Sequence, residues 1–333
     1  LAGIELGRQT QTNTQFNGTA MPVAAIDPVL TRPEYSLAPA AMNLFTGYVL
    51  GTYLQDQIAW KRFRILAGAR RDLFDQAQDS RLPGIARLSR ADQEWSPRVG
   101  VVYRLTNSSS VYTSYSKTFD PSGEALSLAA NTAELAPEQT RNYEAGAKAN
   151  LLGNRFTASA AIFRLIQNNI RTVDPLNPSQ LILVGEQRTQ GVELNLSGRI
   201  WRALNLTGGY ALYDPRILRS NSLSNGVPIE GKIPGLVPRR SGNLWATYFW
   251  SNGFGIGAGA YQSSARFAAN DNLAMLPGYV RLDAALFYGR GKWRASINIR
   301  NLLDRGYYEA AQSDSQIMPG APVNGLATIA YRW

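Results

Sequence analysis

The sequence contains no cysteine and no histidine, and each absence removes a class of chemistry. Without cysteine there is no disulfide framework and no thiolate metal site. Without histidine the chain lacks the commonest metal ligand and the usual proton carrier near neutral pH. A nucleophile–histidine arrangement is therefore impossible, and no motif in the chain supports catalysis. We expect neither catalytic residues nor a metal site.

Long hydrophobic runs are also missing. Hydrophobic residues make up 44% of the chain, yet no run approaches the ~18 uninterrupted apolar residues that a spanning helix needs. A helical membrane protein is therefore excluded. The sequence begins at Leu1 without a Met, a basic segment or an apolar signal segment. This start predicts either removal of a signal by processing or a piece of a longer product.

Lysine is scarce in a chain that is otherwise basic. Lysine supplies 5 of the 34 basic residues, and the formal net charge is +10. Nucleic-acid binding would require basic residues clustered on one face, with stacking aromatic side chains between them. The arginines here are scattered singly through alternating segments. We therefore expect no nucleic-acid partner, and we interpret the charges as belonging to the wall of a water-filled lumen.

What the chain has instead is an alternation of apolar and polar residues with a period of two. The last segment, Leu326–Trp333, carries apolar residues at every second position and ends on the aromatic residues Tyr331 and Trp333. Trp293–Arg300 repeats the pattern, with arginine, serine and asparagine at the intervening positions. A period of two predicts strands whose two faces meet different surroundings.

About 14 candidate strands can be drawn, and the connections between them alternate between short turns and long loops. The strands are Leu1–Phe16, Gly47–Trp60, Phe63–Phe74, Trp95–Leu105, Ser110–Phe119, Asn142–Leu151, Arg155–Thr172, Leu181–Gly198, Leu204–Asp214, Arg240–Trp250, Phe254–Phe267, Gly278–Gly289, Trp293–Tyr307 and a last strand ending at Trp333. Short turns on one side and long loops on the other are typical of outer-membrane barrels. The sequence therefore predicts an all-β fold, a transmembrane antiparallel up-and-down β-barrel.

A soluble all-β repeat such as a propeller is the alternative, but it would require evenly spaced blades with polar outer faces.

The alternation further predicts that Leu282, Leu286 and Ile297 face lipid while Asp283 and Ser296 face the lumen. Because alternate glycines in a strand share one face, the run Gly253–Gly259 predicts close packing against a neighbour. We interpret the polar side chains of Asn301–Asp304 as partners for backbone groups where a strand leaves the membrane.

Short segments along nearly the whole chain resemble the C-terminal barrel of the TonB-dependent receptors, in the ferric-siderophore (ferrichrome-type) branch. The matching segments are Tyr53–Ile58, Leu66–Arg70 with Asp72, Ser96–Gly100, Tyr112–Phe119, Pro137–Thr140, Tyr143–Lys148, Gln187–Leu194, Pro238–Tyr248, Asn301–Asp304 with Tyr307 and Tyr308, and Tyr331–Trp333. Their order and spacing make the resemblance specific, although each segment is weak by itself.

The resemblance implies an outer-membrane receptor and transporter for ferric siderophores in a Gram-negative bacterium, energised by the TonB–ExbB–ExbD complex. Members of the family carry a signal peptide, a TonB box and a globular plug before a barrel of about 22 strands. We therefore expect residues 1–333 to be the C-terminal part of such a barrel, without the plug and the first strands. On that expectation the strands Leu1–Phe16 and Leu326–Trp333 have both lost a neighbour, and we expect open edges there.

The family also implies roles for individual residues. Ferric siderophores are bound by aromatic and arginine side chains near the extracellular mouth. The corresponding ligand candidates are Lys117, Tyr213, Arg216, Tyr261 and Arg266. Iron enters only as the ferric siderophore, and no cofactor is bound directly. The missing histidine argues against the haem-receptor branch. Tyr331 and Trp333 form the aromatic C-terminal signal that the outer-membrane assembly machinery recognises, or they are lipid-interface residues.

Two other functions stay open at this stage. One is a TonB-dependent importer of another nutrient, such as a saccharide or cobalamin. The other is a passive outer-membrane pore, which requires the first and last strands to seal against each other. The particular siderophore is not predicted.

Overall fold

The computed structural model describes residues 1–18, 37–121, 128, 135–177 and 181–332. Twenty strands run in chain order through these residues, and fourteen of them form one antiparallel sheet in which each strand pairs with the next along the chain. Three pairs of short strands make separate hairpins in the long loops: β10–β11, β14–β15 and β18–β19. Across the described residues, no helix is long or apolar enough to cross a membrane.

The first nine strands all belong to the large sheet: β1 Ala2–Gly18, β2 Leu37–Trp60, β3 Phe63–Ser80, β4 Leu88–Arg104, β5 Ser109–Asp120, β6 Glu138–Leu151, β7 Phe156–Val173, β8 Leu181–Trp201 and β9 Leu204–Arg219. The remaining strands are β10 Leu223–Ser224, β11 Val227–Pro228, β12 Arg240–Phe249, β13 Phe254–Ser263, β14 Arg266–Phe267, β15 Met275–Leu276, β16 Tyr279–Arg290, β17 Trp293–Arg300, β18 Tyr308–Ala311, β19 Ile317–Pro319 and β20 Asn324–Tyr331. The predicted all-β, antiparallel, up-and-down arrangement is confirmed.

Several strands are longer than the sequence pattern indicates. β2 has 24 residues and begins at Leu37, where we expected a loop, and its added residues pair with the far end of β1. β3 and β4 are extended in the same way. A strand needs only about 9–11 residues to cross the hydrocarbon layer. The added lengths project beyond that layer, where no apolar–polar alternation is required, so periodicity does not reveal them.

Two predicted strands end earlier than expected. Trp293–Tyr307 is regular only to Arg300, since a turn begins at Asn301, which has a positive φ of 55°. Phe254–Phe267 divides into β13, which ends at Ser263, and the short β14. At both ends the chain leaves the large sheet and enters loop hairpins on the long-loop side.

The large sheet has two free edges. β1 pairs only with β2, and β20 pairs only with β17. Among the described residues, no backbone pairing joins β1 to β20. The sheet is therefore a wall with open edges, as expected from the sequence. Every residue of β20 is exposed. Because β20 has a neighbouring strand on one side only, one row of its N–H and C=O groups has no partner in the sheet.

The two faces of the wall have the predicted composition. Leu282, Leu286 and Ile297 are exposed on one face, while Asp283 lies on the other and pairs with Arg281. We call the first face the outer face and the second the inner face. An apolar surface of this extent is stable in lipid but not in water.

Aromatic side chains line the short-turn end of the outer face. Trp60 stacks on Phe63 at 5.9 Å, and Trp293 contacts Tyr331 at 4.9 Å between ring centroids. Such girdles mark the membrane interface of outer-membrane barrels. Tyr331 therefore occupies an interface position, whereas Trp333 lies outside the described residues. The assembly role proposed for both stays a prediction.

The alternate glycines of β13 face inward, beneath aromatic rings of the adjoining strands. A Cβ atom added at Gly257 would lie 2.7 Å from the Trp245 ring and 3.2 Å from the Phe287 ring. Both distances are too short for an ordinary contact. The glycine run is thus required for close side-chain packing on the inner face, as the sequence predicts.

Candidate functional site

A polar cavity lies on the inner face where β8, β9, β12 and β13 adjoin. Its volume is about 380 Å³. The polar side chains that line the cavity include Glu193, Asn195, Tyr213, Ser241, Asn243, Tyr261 and Tyr279. It combines phenol, amide and hydroxyl groups with one carboxylate. We call it the tyrosine cavity.

The charges around the tyrosine cavity are unequally neutralised. The Tyr213 hydroxyl donates to Glu193 Oε1 at 3.4 Å, and Glu193 has no ion pair with a cation among the described residues. The Tyr261 ring lies 4.6 Å from the Arg281 guanidinium carbon. Arg281 is itself neutralised by Asp283 through two hydrogen bonds of 3.0 Å. The cavity therefore presents a carboxylate beside hydrogen-bonding phenols.

A second carboxylate lies on the same face, nearer to β5. The Tyr112 hydroxyl donates to Glu144, and the Lys148 ammonium lies 5.0 Å from the Tyr112 ring. The adjoining inner positions are small, among them Gly146 on β6. The predicted ligand candidates did not include Glu144, Glu193 or Tyr112, although their alternation with apolar outer residues is the signal that places them inward.

Lys117 lies in a different part of the wall. Its ammonium pairs with Glu94 Oε2 at 3.0 Å, and the Gln139 side chain donates to the other oxygen of Glu94 at 2.7 Å. A cavity of about 500 Å³ beside Lys117 also includes Arg70 and Arg98. Arg70 is held by Asp72 and Glu5, whereas Arg98 is exposed.

Arg216 and Arg266 lie near the long-loop end. Arg216 contacts Asp214 at 3.7 Å, and alternation places both side chains on the face opposite Tyr213. Arg266 is buried, donates to the carbonyl oxygens of Tyr308 and Glu309, and lies over the Tyr279 ring at 5.8 Å. It thus joins two long loops above the tyrosine cavity.

The structure therefore brings Tyr213 and Tyr261 together in one cavity, with Arg266 above it, and leaves Lys117 and Arg216 elsewhere. The ligand role of all five residues stays a prediction. Among the described residues, no cluster of acidic side chains has the composition of a metal site.

The segment Asn301–Asp304 satisfies backbone groups, as the sequence predicts. The Asn301 side chain donates to the carbonyl oxygens of Arg305 and Ala321 and accepts from the Arg305 N–H at 3.0 Å. Asp304 Oδ1 accepts from the Val323 N–H at 2.8 Å. Asn301 is almost completely buried. These bonds fix the chain where β17 ends and the last long loop begins.

Three long loops meet at Asp271, which is fully buried. Its carboxylate accepts hydrogen bonds from the Leu273 N–H at 3.0 Å and from the Asn225 and Ser224 side chains at 2.6 and 3.1 Å. Asn225 also donates to Asp314 at 3.0 Å. The bond from Leu273, with those from Asn225 and Ser224, lowers the pKa of the Asp271 carboxyl below its ordinary value. We call this cluster the loop clasp.

These features define a class of protein: a membrane-embedded antiparallel β-barrel wall, with short turns on one side, long loops on the other and a polar inner face. The chain matches the family described as TonB dependent receptor-like, beta-barrel, over residues 2–302. It belongs to that family. The family is made of receptors and transporters, and its members lie in the outer membrane of Gram-negative bacteria.

Two curated relatives agree with this membership, and a solved structure shows the same fold. The metal-pseudopaline receptor CntO of Pseudomonas aeruginosa is 31% identical over 81% of this chain and 39% of its own length. The ferrioxamine B receptor of Salmonella typhimurium is 28% identical over 99% of this chain and 47% of its own length. The crystal structure of the siderophore receptor PiuA from Acinetobacter baumannii superposes with a TM-score of 0.88 at 23% identity, covering 99% of this chain and 52% of that chain. The chain thus spans about half or less of the length of these proteins.

Proposed function

We propose that this chain forms part of the barrel wall of a TonB-dependent receptor that imports ferric siderophores across the outer membrane. The family match over residues 2–302 carries this proposal. The curated relatives are named as receptors for metal–pseudopaline and for ferrioxamine B. Energy would come from the TonB–ExbB–ExbD complex. Iron would enter only within the siderophore, without a cofactor resident in the protein.

Two observations support the proposal that this chain is part of a larger barrel. The chain covers less than half of its curated relatives, and its sheet has two free edges. The chain covers 39% and 47% of the two relatives, and β1 and β20 both leave backbone groups unpaired in the sheet. Unpaired backbone groups are costly in lipid. We infer that further strands cover these edges in the working protein. A plug and the remaining strands would complete the receptor.

The tyrosine cavity is the candidate contact for the transported ligand. Its phenols and amides can donate to the oxygen atoms of a metal chelate, and Glu193 favours a neutral or cationic ligand over a strongly anionic one. Binding and release, rather than bond cleavage, is the chemistry that these groups support. We therefore propose a transporter and not an enzyme.

The passive-pore alternative requires β1 and β20 to seal, and the described residues show no pairing between them. Import of a different nutrient is the competing function. Because the two relatives are named for different ligands, an experiment must decide which chelate is transported.

The test is uptake of radiolabelled ferric hydroxamates and ferric catecholates by iron-limited cells that produce the full-length gene product. Uptake should require both the protein and TonB. Uptake that persists without TonB would favour the pore, and uptake of a saccharide or cobalamin without any ferric chelate would favour the other importer. Tyr213→Phe with Tyr261→Leu should reduce chelate binding if the tyrosine cavity contacts the ligand. Thr328→Val, at another inner position, is the matched control.

A further inference from the structure

The short-turn end of the wall is strongly basic. It consists of the six short turns with the strand residues beside them and the end of β20, in the ranges 60–64, 104–110, 151–156, 199–204, 250–254, 289–294 and 331–332. These ranges hold eleven lysine and arginine residues and no aspartate or glutamate. Because the whole chain has a formal net charge of +10, the rest of it is close to neutral. We call these eleven residues the basic rim.

The protein does not neutralise the basic rim. None of its members makes an ion pair with a residue that the structure describes. The nearest carboxylate side chain along the strands is Asp56, four residues before Trp60 on β2. Every member except Arg64 is exposed. The counter-charge must therefore come from outside the chain.

Part of the basic rim caps the turns. The guanidinium groups of three arginines each donate to the carbonyl oxygen of the residue three positions earlier. These bonds run from Arg64 to Lys61 at 3.1 Å, from Arg155 to Leu152 at 2.8 Å and from Arg294 to Gly291 at 3.3 Å. The three arginines therefore stabilise the turns that carry them.

Three other members of the rim lie over exposed aromatic rings. The pairs are Lys61 with Trp60 at 5.3 Å, Arg202 with Trp201 at 4.9 Å and Lys292 with Tyr331 at 5.9 Å, measured from the cation to the ring centroid. The three rings are 59%, 57% and 50% exposed. The same pairing thus recurs at the β2–β3, β8–β9 and β16–β17 turns. We call Lys61, Arg202 and Lys292 the outward cations.

The rings beneath the outward cations belong to the outer face. Trp201 is the register partner of Leu204, which lies an even number of residues from Leu212, exposed on that face. An aromatic girdle lies at the membrane interface, and a long cationic side chain beside it extends to the level of the headgroups. The short turns of such barrels lie on the periplasmic side. The outward cations are therefore at the inner leaflet of the outer membrane.

We propose that the outward cations bind the headgroups of net-anionic phospholipids in the inner leaflet, one lipid phosphate at each of the three turns. The ring face beneath each cation holds its charge at the border of the lipid layer. A zwitterionic phospholipid fits less well, because its own ammonium group would meet these cations. A soluble acidic partner is disfavoured, since the cations lie over rings that face lipid. A second copy of this chain would bring like charges together.

The experiment uses the full-length product in phosphatidylcholine vesicles, with spin-labelled phosphatidylglycerol as the probe and spin-labelled phosphatidylcholine as the reference. The immobilised fraction of each label measures its association with the protein. The wild type should select phosphatidylglycerol by about fivefold, the factor that one cation near an anionic surface contributes. Lys61→Gln with Arg202→Gln and Lys292→Gln should remove most of this selectivity. Lys61→Arg with Arg202→Lys and Lys292→Arg should keep it, because the charges stay.

The matched control is Arg104→Gln with Arg199→Gln and Arg332→Gln, which removes the same charge at the same end of the wall. Alternation places these three arginines on the inner face. Arg104 and Arg332 each follow an outward tyrosine, and a bulge separates Arg199 from Trp201. The selectivity of this variant should equal that of the wild type. Heat-modified mobility on gels checks that all variants fold.

Two results would overturn the proposal by the lipid measurement alone. One is equal selectivity in the wild type and the outward-cation variant, and the other is an equal loss in that variant and the control. Release of the immobilised label by inorganic phosphate or polyglutamate, at the concentration of the lipid headgroups, would also overturn it. A soluble anion would then be the occupant of the basic rim.

Discussion

Arginines on the inner and outer faces of the same wall differ in whether the protein supplies a carboxylate that neutralises them. Arg281, on the inner face, is buried and held by two hydrogen bonds from its guanidinium to Asp283. Arg164, on the outer face, is exposed and has no ion partner among the described residues. A buried guanidinium without an anion costs several kcal/mol, so the inner wall must supply its own carboxylates. An exposed guanidinium keeps its contact with water, so the protein need not supply a carboxylate for it.

The substitution Asp283→Ala should have the largest effect among the tests of this comparison. Removal of this carboxylate leaves Arg281 buried without its anion and also removes the acceptor for the Asn301 N–H at 2.9 Å. We expect the free energy of unfolding to fall by about 3 kcal/mol or more. A urea titration of the protein folded in lipid vesicles measures it.

Asp214→Ala is the control for that prediction. Asp214 pairs with Arg188, but its side chain is 47% exposed, so the same deletion should cost less than about 1 kcal/mol. Equal losses for the two variants would show that the inner ion pair is no more important than an exposed one.

A second test places the same charge on the two faces. Leu286→Arg puts a guanidinium near the middle of the lipid band and should destabilise the folded protein by about 2–4 kcal/mol. Ser296→Arg, on the inner face of the next strand, should be tolerated. Both are compared by folding titration in bilayers of one composition, and similar midpoints would mean that the faces are assigned wrongly.

A third test concerns the aromatic end of the outer face. Deletion of Trp333 should lower the amount of protein inserted in the outer membrane several-fold, while Trp333→Phe should lower it less. The reason is the aromatic C-terminal assembly signal that the resemblance implies for Tyr331 and Trp333, which stays a prediction. Membrane fractions are quantified by immunoblotting, with Arg332→Gln as the control on the alternate position. Equal membrane levels for the deletion, the Phe variant and the wild type would remove the assembly role.

The smallest expected effect lies outside the lipid layer, at the loop clasp. Because folding lowers the pKa of Asp271, its stabilisation is complete above the ordinary carboxyl pKa of about 4 and is lost as pH falls through the lowered folded value. The clasp should therefore stay closed at pH 5 and open only in stronger acid.

Spin labels placed in the loops after β9 and β13 would measure the distance across the clasp as the pH is lowered. In Asp271→Asn this distance should not change over the same acid range. Opening of the wild-type clasp near pH 5, or an unchanged acid transition in the variant, would contradict the assigned role of the carboxylate.

The sequence by itself determined what is local. Alternation with a period of two predicted the strands and the faces of Leu282, Asp283 and Ile297, because in a strand the side chain's direction depends only on position along the chain. Short turns and long loops predicted the up-and-down order. The capping role of Asn301 was also readable, since its polar side chain stands where the apolar pattern stops.

Only the tertiary structure decided what depends on register between distant segments. The loop clasp joins Asn225, Asp271 and Asp314, which no local pattern connects. The pairing of Lys117 with Glu94 and the meeting of Tyr213 with Tyr261 likewise follow from cross-strand register. Alternation repeats along every strand, so it fixes which face a residue occupies but not which residue on the next strand stands beside it.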